Sequence, residues 1–138
     1  MRHVNQILGI LTLLLFCRIP VLGCRCTEPS LKAAYDRADA VGKIRIEQAS
    51  APSADGTVTA QAEVLGSWKT NLPPQIRIVT GEDCAYSLQP GETYILYLSK
   101  GDDVWGTYKC RGNRLAKEAA GTVQWLNRRT ASGKGQKP

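Results

Sequence analysis

Four cysteines constrain this chain more than any other feature of its sequence. Cys24 and Cys26 are separated by one residue, whereas Cys84 and Cys110 lie far downstream. Two cysteines in a C-x-C pair do not easily bridge each other, so each is expected to form a disulfide with a distant strand. Either Cys24–Cys84 with Cys26–Cys110 or the crossed alternative satisfies this expectation. Each long loop closed in this way would be worth about 4 kcal/mol, which rivals the whole stability of a small domain.

Residues 1–23 are predicted to be a secretory signal rather than part of the fold. A basic start precedes an apolar run from Ile7 to Phe16, and Gly23 stands before Cys24. The run of about ten residues suits a signal and is shorter than the ~20 residues that a membrane helix needs. Removal of the signal would also remove Cys17 and leave an even number of cysteines, as in an exported, disulfide-bonded chain. No second apolar stretch of membrane length follows in the sequence.

The end of this segment, Val21-Leu22-Gly23-Cys24, also approximates a bacterial lipobox, after which Cys24 would be lipidated. Leu22 is bulkier than the residue usual at that position. Lipidation would consume the Cys24 thiol and leave three cysteines, one of them unpaired. Both points favour ordinary secretion, to the extracellular space or the periplasm, over a lipoprotein.

The charge of the predicted domain is balanced. The whole chain has 18 basic and 12 acidic residues. Two of the basic residues lie in the signal and four in the tail from residue 128 to 138, so residues 24–127 carry twelve of each sign. A nucleic-acid-binding face should leave a positive surplus in the domain, and the sequence therefore predicts no nucleic-acid partner. The basic tail, rich in Ser, Gly, Lys and Pro, has nothing to bury and is predicted to be disordered.

The first half of the domain predicts a helix followed by strands. Ser30 can cap a short helix that ends at Ala38, and apolar residues then alternate with polar ones from Asp39 to Ile46, which is typical of a half-buried strand. A turn over residues 49–56 leads to a second alternating strand. The stretch from Gly66 to Pro74 is predicted to be a loop.

The second half predicts three more strands and a helix. A third strand begins at Gln75, and the fourth, Thr93-Tyr-Ile-Leu-Tyr-Leu, is nearly all apolar and therefore expected to be central. The fifth is expected over Val104–Cys110. Asn113 is a plausible cap for a C-terminal helix, whose apolar face would hold Leu115, Ala119, Val123 and Leu126, with Trp125 beside them.

These elements predict one mostly β domain over residues 24–127. Five antiparallel strands with a short N-terminal helix and a C-terminal helix suggest a small closed barrel with Greek-key connections, as in the OB-fold. A β-sandwich remains the alternative, because strand counting alone does not distinguish the two.

Several kinds of catalytic site are absent from the mature sequence. His3 is the only histidine and lies in the signal, which excludes Ser–His–Asp and Cys–His systems and histidine-based zinc sites. The cysteine spacing also differs from the paired C-x₂₋₄-C of structural zinc sites. Glu82-Asp83 and Asp102-Asp103 lie beside glycines in turns, where solvated acids are ordinary. We therefore expect a protein that is not an enzyme and has no cofactor of its own.

The arrangement of the C-x-C directly after the signal, the short helix, the five strands, and Cys84 and Cys110 resembles the inhibitory domain of the tissue inhibitors of metalloproteinases. More broadly, it resembles the netrin-like modules that share the OB-fold of that domain. Trp68-Lys after the second strand and the run from Cys84 to Tyr97 are further points of similarity. The resemblance covers roughly residues 24–126.

The resemblance implies the pairing Cys24–Cys84 and Cys26–Cys110. It also implies a secreted inhibitor, expected to be monomeric, whose Cys24 α-amine and carbonyl oxygen chelate the catalytic zinc of a target metalloprotease. Arg25, Cys26 and Thr27 would then form the contact ridge, and the zinc would belong to the target. An α-amine with a pKa of about 7.7–8.0 is partly neutral near pH 7 and can donate a lone pair. Catalytic zinc keeps a position open for such a ligand.

Two residue positions differ from the family's pattern, and both favour a function other than inhibition. Arg25 stands where the vertebrate inhibitors have a small hydroxylated residue that enters the protease's specificity pocket. The family's third N-terminal cysteine, expected near Tyr35 or Asp36, is absent. The alternative is a non-inhibitory netrin-like module that binds an extracellular or envelope protein through its loops, with disulfides that only staple the fold.

The aromatic residues have simpler interpretations. Trp68 would be either a loop contact or a lid on the barrel. Four further aromatic residues are expected mostly in the core and in cross-strand pairs rather than on a base-stacking platform: Tyr94, Tyr97, Trp105 and Tyr108.

Overall fold

The computed structural model describes residues 23–134, except for the side chains of residues 82, 133 and 134. The predicted signal up to residue 22 and the last four residues of the predicted tail lie outside the described residues. The rest is mostly β, with a closed five-stranded barrel, two α-helices and two disulfides. The sandwich alternative is thereby excluded. Within residues 23–134, no helix combines the length and apolar character needed to cross a membrane.

Helix α1 spans Leu31–Arg37 and begins where the sequence predicts. Ser30 has an extended backbone, and its hydroxyl oxygen accepts a hydrogen bond from the Ala33 amide at 3.2 Å. At the other end, Lys69 Nζ donates to the carbonyl oxygen of Tyr35 at 2.8 Å. A cation is favourable there because the carbonyl end of a helix carries partial negative charge.

The strands form a single sheet that closes on itself. They are β1 (Ala40–Ala49), β2 (Val58–Lys69), β3 (Gln75–Thr80), β4 (Thr93–Lys100), β5 (Trp105–Gly106) and β6 (Arg114–Leu115). Because β1 pairs with both β2 and β4, the order β1-β2-β3-β5-β4 returns to β1, and β6 is an addition to β4. The β1–β2 register shifts at three places. Such bulges increase local twist and help a long ribbon to coil into a barrel.

One strand pair is parallel, so the prediction of an entirely antiparallel barrel was wrong. Ile78 and Val79 of β3 pair in parallel with Trp105 and Gly106 of β5. All other pairs are antiparallel, so β1, β3 and β5 run in one direction. An odd number of alternating strands cannot close into a ring without joining two of the same direction.

The inner and outer faces of the barrel have separate cores. The alternation predicted for β1 is confirmed: Ile44 and Ile46 face the interior, and Val41 faces outward beneath the helices. The fourth strand is central as predicted, with Leu96 in the interior cluster and Tyr97 in the outer one. The interior cluster consists of Ala40, Ile44, Ile46, Ala60, Ala62, Leu72, Ile76, Ile78, Leu88, Tyr94, Leu96 and Leu98.

Strand β2 is longer than predicted. It includes Gly66–Lys69, which the sequence assigned to a loop, because Ser67 pairs with Gly42 and Lys69 with Val41. Pairing with β1 therefore outweighs the weak strand preference of glycine and serine in this segment. As a result, Trp68 lies near the end of a strand and not in a loop.

The chain after β4 differs most from prediction. The fifth strand has two residues instead of the seven expected over Val104–Cys110, and Asn113 does not cap a helix. Leu115 belongs to β6 and packs against the barrel interior. Helix α2 begins only at Ala120, after a short 3-10 turn.

Helix α2 spans Ala120–Lys134 and covers the outer face of the barrel together with α1. Leu126 is fully buried in the outer cluster, and Val123 and Trp125 pack beside it as predicted. The helix also includes residues 128–134, the first part of the tail 128–138 that was predicted to be disordered. Arg129 ties this end to α1, because its guanidinium lies 3.1 Å from the Asp36 carboxylate and 4.7 Å from the centre of the Tyr35 ring.

Candidate functional site

The two disulfides lie in contact with each other at one end of the barrel. Cys24 is bonded to Cys84 and Cys26 to Cys110, which is the pairing that the resemblance implied. The Cα atoms of the bonded pairs are 5.2 and 5.1 Å apart. Cys24 Sγ also lies 3.5 Å from both Cys26 Sγ and Cys110 Sγ. The two crosslinks therefore fasten the N-terminal segment to the barrel at one point.

The turn after β3 places Cys84. Thr80, the last residue of β3, is buried, and its hydroxyl oxygen accepts a hydrogen bond from the Tyr86 amide at 2.7 Å. This bond folds the chain back around a 3-10 turn over Glu82–Cys84. Cys84 is thus held just beyond the end of β3.

A side-chain bridge places Cys110. Between β5 and β6 the chain leaves the sheet, so Tyr97 in β4 is paired with Val41 of β1 on one side and has no strand on the other. Asn113 Oδ1 accepts a hydrogen bond from the Tyr97 amide at 2.9 Å, and the Thr107 hydroxyl donates to the Tyr97 carbonyl oxygen at 3.0 Å. Asn113 Nδ2 closes the network by donating to Thr107 Oγ1 at 2.8 Å. The excursion that this bridge permits, residues 108–112, carries Cys110 outward to meet Cys26.

The excursion ends at a position that requires glycine. Gly112 follows the 3-10 turn Lys109–Arg111 and has a φ of 90°, in the left-handed region. A Cβ added there would lie 3.1 Å from Cβ of Ala34 in α1. The close approach packs the turn against α1, and the N-terminal segment passes beside it at Pro29.

The segment from Arg25 to Glu28 forms an exposed ridge next to the disulfides. All four residues of this segment are exposed, whereas Cys24 is half-buried. Glu28 forms an ion pair with Arg114 of β6, which anchors the far end of the ridge. The crosslinks at Cys24 and Cys26 therefore hold the predicted contact residue Arg25 in place, and the exposed ion pair at Glu28 adds a weaker contact beyond Thr27.

The sulfur cluster is not a zinc site in this oxidised form. The Sγ atoms of Cys24, Cys84 and Cys110 all lie within 4.8 Å of one another, and this is the single group of potential metal ligands found among the described residues. Each of these sulfurs is part of a disulfide, whereas zinc binds the thiolate. The cluster's role in the oxidised chain is therefore to crosslink.

Trp68 is not part of the ridge. Its ring is half-buried under the helices, and its Nε1 donates to Asn127 Oδ1 of α2 at 2.7 Å. Its carbonyl oxygen accepts a hydrogen bond from the Tyr35 hydroxyl at 3.3 Å. Because it lies near the end of β2, it is at the end of the barrel away from the disulfides. The structure therefore gives Trp68 a packing role between β2 and the two helices.

The other aromatic residues do not share one exposed face. Tyr94 and Tyr97 are buried on opposite faces of β4, and Trp105 is half-buried against the interior. Tyr108 is 38% exposed and lies 4.7 Å beneath the Arg111 guanidinium. The expectation of core and cross-strand positions holds for the first three and not for Tyr108.

Two cavities lie at opposite ends of the barrel. One, of about 340 Å³, adjoins the disulfides and is lined by Tyr86, Leu88 and Lys109 together with residues of the β1–β2 loop. The other, of about 710 Å³, lies where β1 and β5 begin and β2 and β4 end. Its lining residues are Asp39, Thr70, Lys100, Gly101, Asp102 and Trp105.

Four titratable groups have a shifted pKa: hydrogen bonds and nearby cations lower that of Asp36, burial raises that of Tyr86, and Asp55 and Tyr97 are shifted as follows. The Ser53 hydroxyl and the Thr57 amide donate to the Asp55 carboxylate in the β1–β2 turn and lower its pKa to about 2. Burial raises the pKa of Tyr97, whose hydroxyl has no hydrogen-bond partner among the described residues. None of the four forms a hydrogen bond or ion pair with residues 25–28 among the described side chains, so the site's own chemistry comes from its backbone and from Arg25.

Comparison with known proteins does not assign the chain to a family. No protein-family model matches the sequence, and no curated protein matches it either. What the chain does must therefore be inferred from the disulfide-anchored ridge and the barrel that carries it.

Proposed function

We propose that the mature chain is a secreted inhibitor of zinc metalloproteases. In this proposal the signal is removed before Cys24, and the free α-amine and carbonyl oxygen of Cys24 chelate the catalytic zinc of the target. Arg25, Cys26 and Thr27 contact the protease around the metal. The barrel is of the OB-fold, netrin-like type with Greek-key connections, which the strand order β1-β2-β3-β5-β4 supports. The inhibitor acts as a monomer outside the cell or in the periplasm.

The observation that carries this proposal is the immobilisation of an exposed N-terminal segment by two adjacent disulfides. Cys24 and Cys26 are both crosslinked to the barrel, and the residues after Cys24 are exposed. A ligand that is rigid before binding loses less conformational entropy when it binds. A chain end held in this way can present the two donor atoms of a five-membered chelate at a fixed position.

The chelate suits a protease's zinc in chemical terms. Catalytic zinc has three protein ligands and binds water or substrate at the remaining position, sometimes with a fifth ligand. An amine nitrogen and a carbonyl oxygen from one residue can replace that water. A lipid anchor at Cys24 would exclude this mechanism, but the Cys24–Cys84 disulfide uses the thiol that lipidation requires.

The test is to append one alanine before Cys24. The extension moves the free amine away from Cys24 and converts the Cys24 nitrogen into an amide, which is a poor metal ligand. We expect the inhibition constant against a susceptible secreted zinc endopeptidase to rise at least roughly 100-fold, equivalent to about 2.8 kcal/mol. An alanine appended after Pro138 is the matched control and should leave inhibition unchanged. Equal inhibition by both extended proteins would contradict chelation.

A binding module without zinc chemistry is the second candidate, and the cavity of about 710 Å³ favours it. That cavity lies at the end of the barrel away from Cys24 and is bordered by the loops that follow β2 and β4. Such a module would bind its extracellular or envelope partner equally well with or without the alanine before Cys24. Substitution of Trp105 in the cavity wall would weaken that binding.

A further inference from the structure

Arg25 is the charged residue of the ridge whose backbone is fixed on both sides and whose charge has no partner among the described side chains. The residues on both sides of it are held by disulfides, so its Cα cannot move away from the ridge. It is exposed, and none of the ion pairs among the described side chains includes it. The acid of the ridge, Glu28, is already engaged with Arg114. The guanidinium charge is therefore available to a binding partner.

Chain geometry places this charge next to the target's zinc if Cys24 is the chelating residue. The Cα atom of Arg25 lies about 3.8 Å from that of Cys24, as across any trans peptide. A protease polarises the carbonyl of the scissile bond with its metal. When the carbonyl oxygen of Cys24 occupies that position, residue 25 corresponds to the substrate residue directly after the scissile bond. As the equivalent residue does in the inhibitors that the sequence resembles, its side chain would then enter the pocket that receives this substrate residue.

The chemistry of that pocket follows from the guanidinium. A buried cation without a partner is strongly unfavourable, so an apolar pocket would repel Arg25. A carboxylate inside the pocket would instead form two parallel hydrogen bonds with the planar guanidinium. Lysine, a compact ammonium on a flexible stem, cannot form that paired geometry.

We infer that the target of this inhibitor is a zinc peptidase whose pocket on the C-terminal side of the scissile bond contains a carboxylate, so that it cleaves before basic residues. The inference rests on the proposed chelation by Cys24. It makes Arg25 the specificity-determining residue of the ridge and excludes peptidases that cleave before large apolar residues as preferred targets.

The test measures the inhibition constants of two secreted zinc endopeptidases with fluorogenic peptides. One enzyme is chosen because it cleaves before arginine or lysine, and the other because it cleaves before leucine. The wild-type chain beginning at Cys24 should inhibit the first at least tenfold more strongly than the second. Arg25→Leu should reverse this preference, and Arg25→Lys should retain its direction with a smaller ratio. Because Arg25 is exposed, all variants should have the same melting temperature.

The failure of the inference and the failure of chelation give different results. If Arg25→Leu leaves the ratio of the two constants unchanged, or if the wild type prefers the enzyme that cleaves before leucine, the specificity inference is wrong while inhibition stands. If neither the wild type nor Arg25→Leu inhibits either enzyme, or if the alanine before Cys24 does not weaken inhibition, the proposed function is wrong and the inference falls with it.

Discussion

Substitution of Asn113 tests how the barrel places Cys110. The Asn113 side chain accepts a hydrogen bond from the buried Tyr97 amide and donates to the Thr107 hydroxyl and to the carbonyl oxygen of Tyr108, at 2.9, 2.8 and 3.1 Å. These bonds replace a strand beside β4 over the interval in which the chain departs from the sheet. Asn113→Ala removes all three and leaves the Tyr97 amide without a partner in a residue that is fully buried.

The expected loss follows from the individual bonds. An unpaired buried amide costs about 1–3 kcal/mol, and each neutral hydrogen bond contributes about 0.5–1.5 kcal/mol net. Asn113 is only half-buried, so water can replace part of the bond to Tyr108. We therefore expect the free energy of unfolding to fall by about 3 kcal/mol. For a domain of this size, that corresponds to a fall of roughly 10–15 °C in melting temperature.

The variant Asn113→Asp distinguishes the two roles considered for Asn113, a bridge to β4 and the helix cap that the sequence suggested. Asparagine and aspartate are nearly equivalent as helix caps, so a cap would tolerate this change. The bridge needs an acceptor and a donor on the same side chain, and aspartate keeps only the acceptor. We expect Asn113→Asp to be destabilised by at least about 1.5 kcal/mol, because it loses two hydrogen bonds and brings a charge into a half-buried site.

Urea unfolding followed by circular dichroism gives both free energies, and hydrogen exchange gives a local readout. The Tyr97 amide should exchange faster in Asn113→Ala than in Asn113→Asp, relative to the global stability of each variant, because the aspartate oxygen still accepts its hydrogen bond. The bridge would be refuted if Asn113→Asp were as stable as the wild type and Asn113→Ala lost only about 1 kcal/mol. That result would indicate that Asn113 acts as a helix cap.

Two further predictions concern the crosslinks and the β1–β2 turn. Replacing Cys26 and Cys110 together with alanine should lower the free energy of unfolding by about 3.5 kcal/mol, because Cys24–Cys84 remains and the additional loop closed by Cys26–Cys110 is then only about 28 residues long. A loss below about 1 kcal/mol in guanidinium unfolding would contradict this. The pKa of Asp55, about 2 in the folded chain, lies below its unfolded value near 3.9, so the stability it contributes is complete above about pH 4 and is lost as the pH falls towards 2. An NMR titration of the Asp55 carboxyl with a midpoint near 3.9 would contradict that shift, and Asp55→Asn should flatten this part of the acid-unfolding curve.

The candidate site could be predicted only in part. The positions of Cys24, Cys26, Cys84 and Cys110 indicated long-range disulfides, and the residues alone left two pairings open. The structure supplies the pairing and brings both bonds into contact. Trp68, which the sequence left as either a loop contact or a lid on the barrel, is half-buried near the end of β2, because β2 continues where β1 offers it a partner.

The sequence did not predict the bridge at Asn113, because the residues around Asn113 fit a helix cap equally well. An asparagine before an apolar, helix-like pattern is typical of a cap, and nothing nearby in the sequence shows that β4 lacks a strand on one side at Tyr97. The parallel pair between β3 and β5 is different, since closure of five alternating strands requires one such pair. That correction follows from the predicted barrel itself.

By itself, the sequence determined the cap at Ser30, the two-faced alternation of β1, the burial of β4 on both sides and the long-range use of four cysteines. Each of these depends on residues close together in the chain or on the chemistry of a single residue type. The tertiary structure decided between the two pairings that the cysteine positions left open, and it alone decided where β2 ends and how β5 and β6 are separated by an excursion that carries Cys110. These features depend on which distant segment satisfies a given backbone group, and strands of two residues are too short to leave a periodic pattern in the sequence.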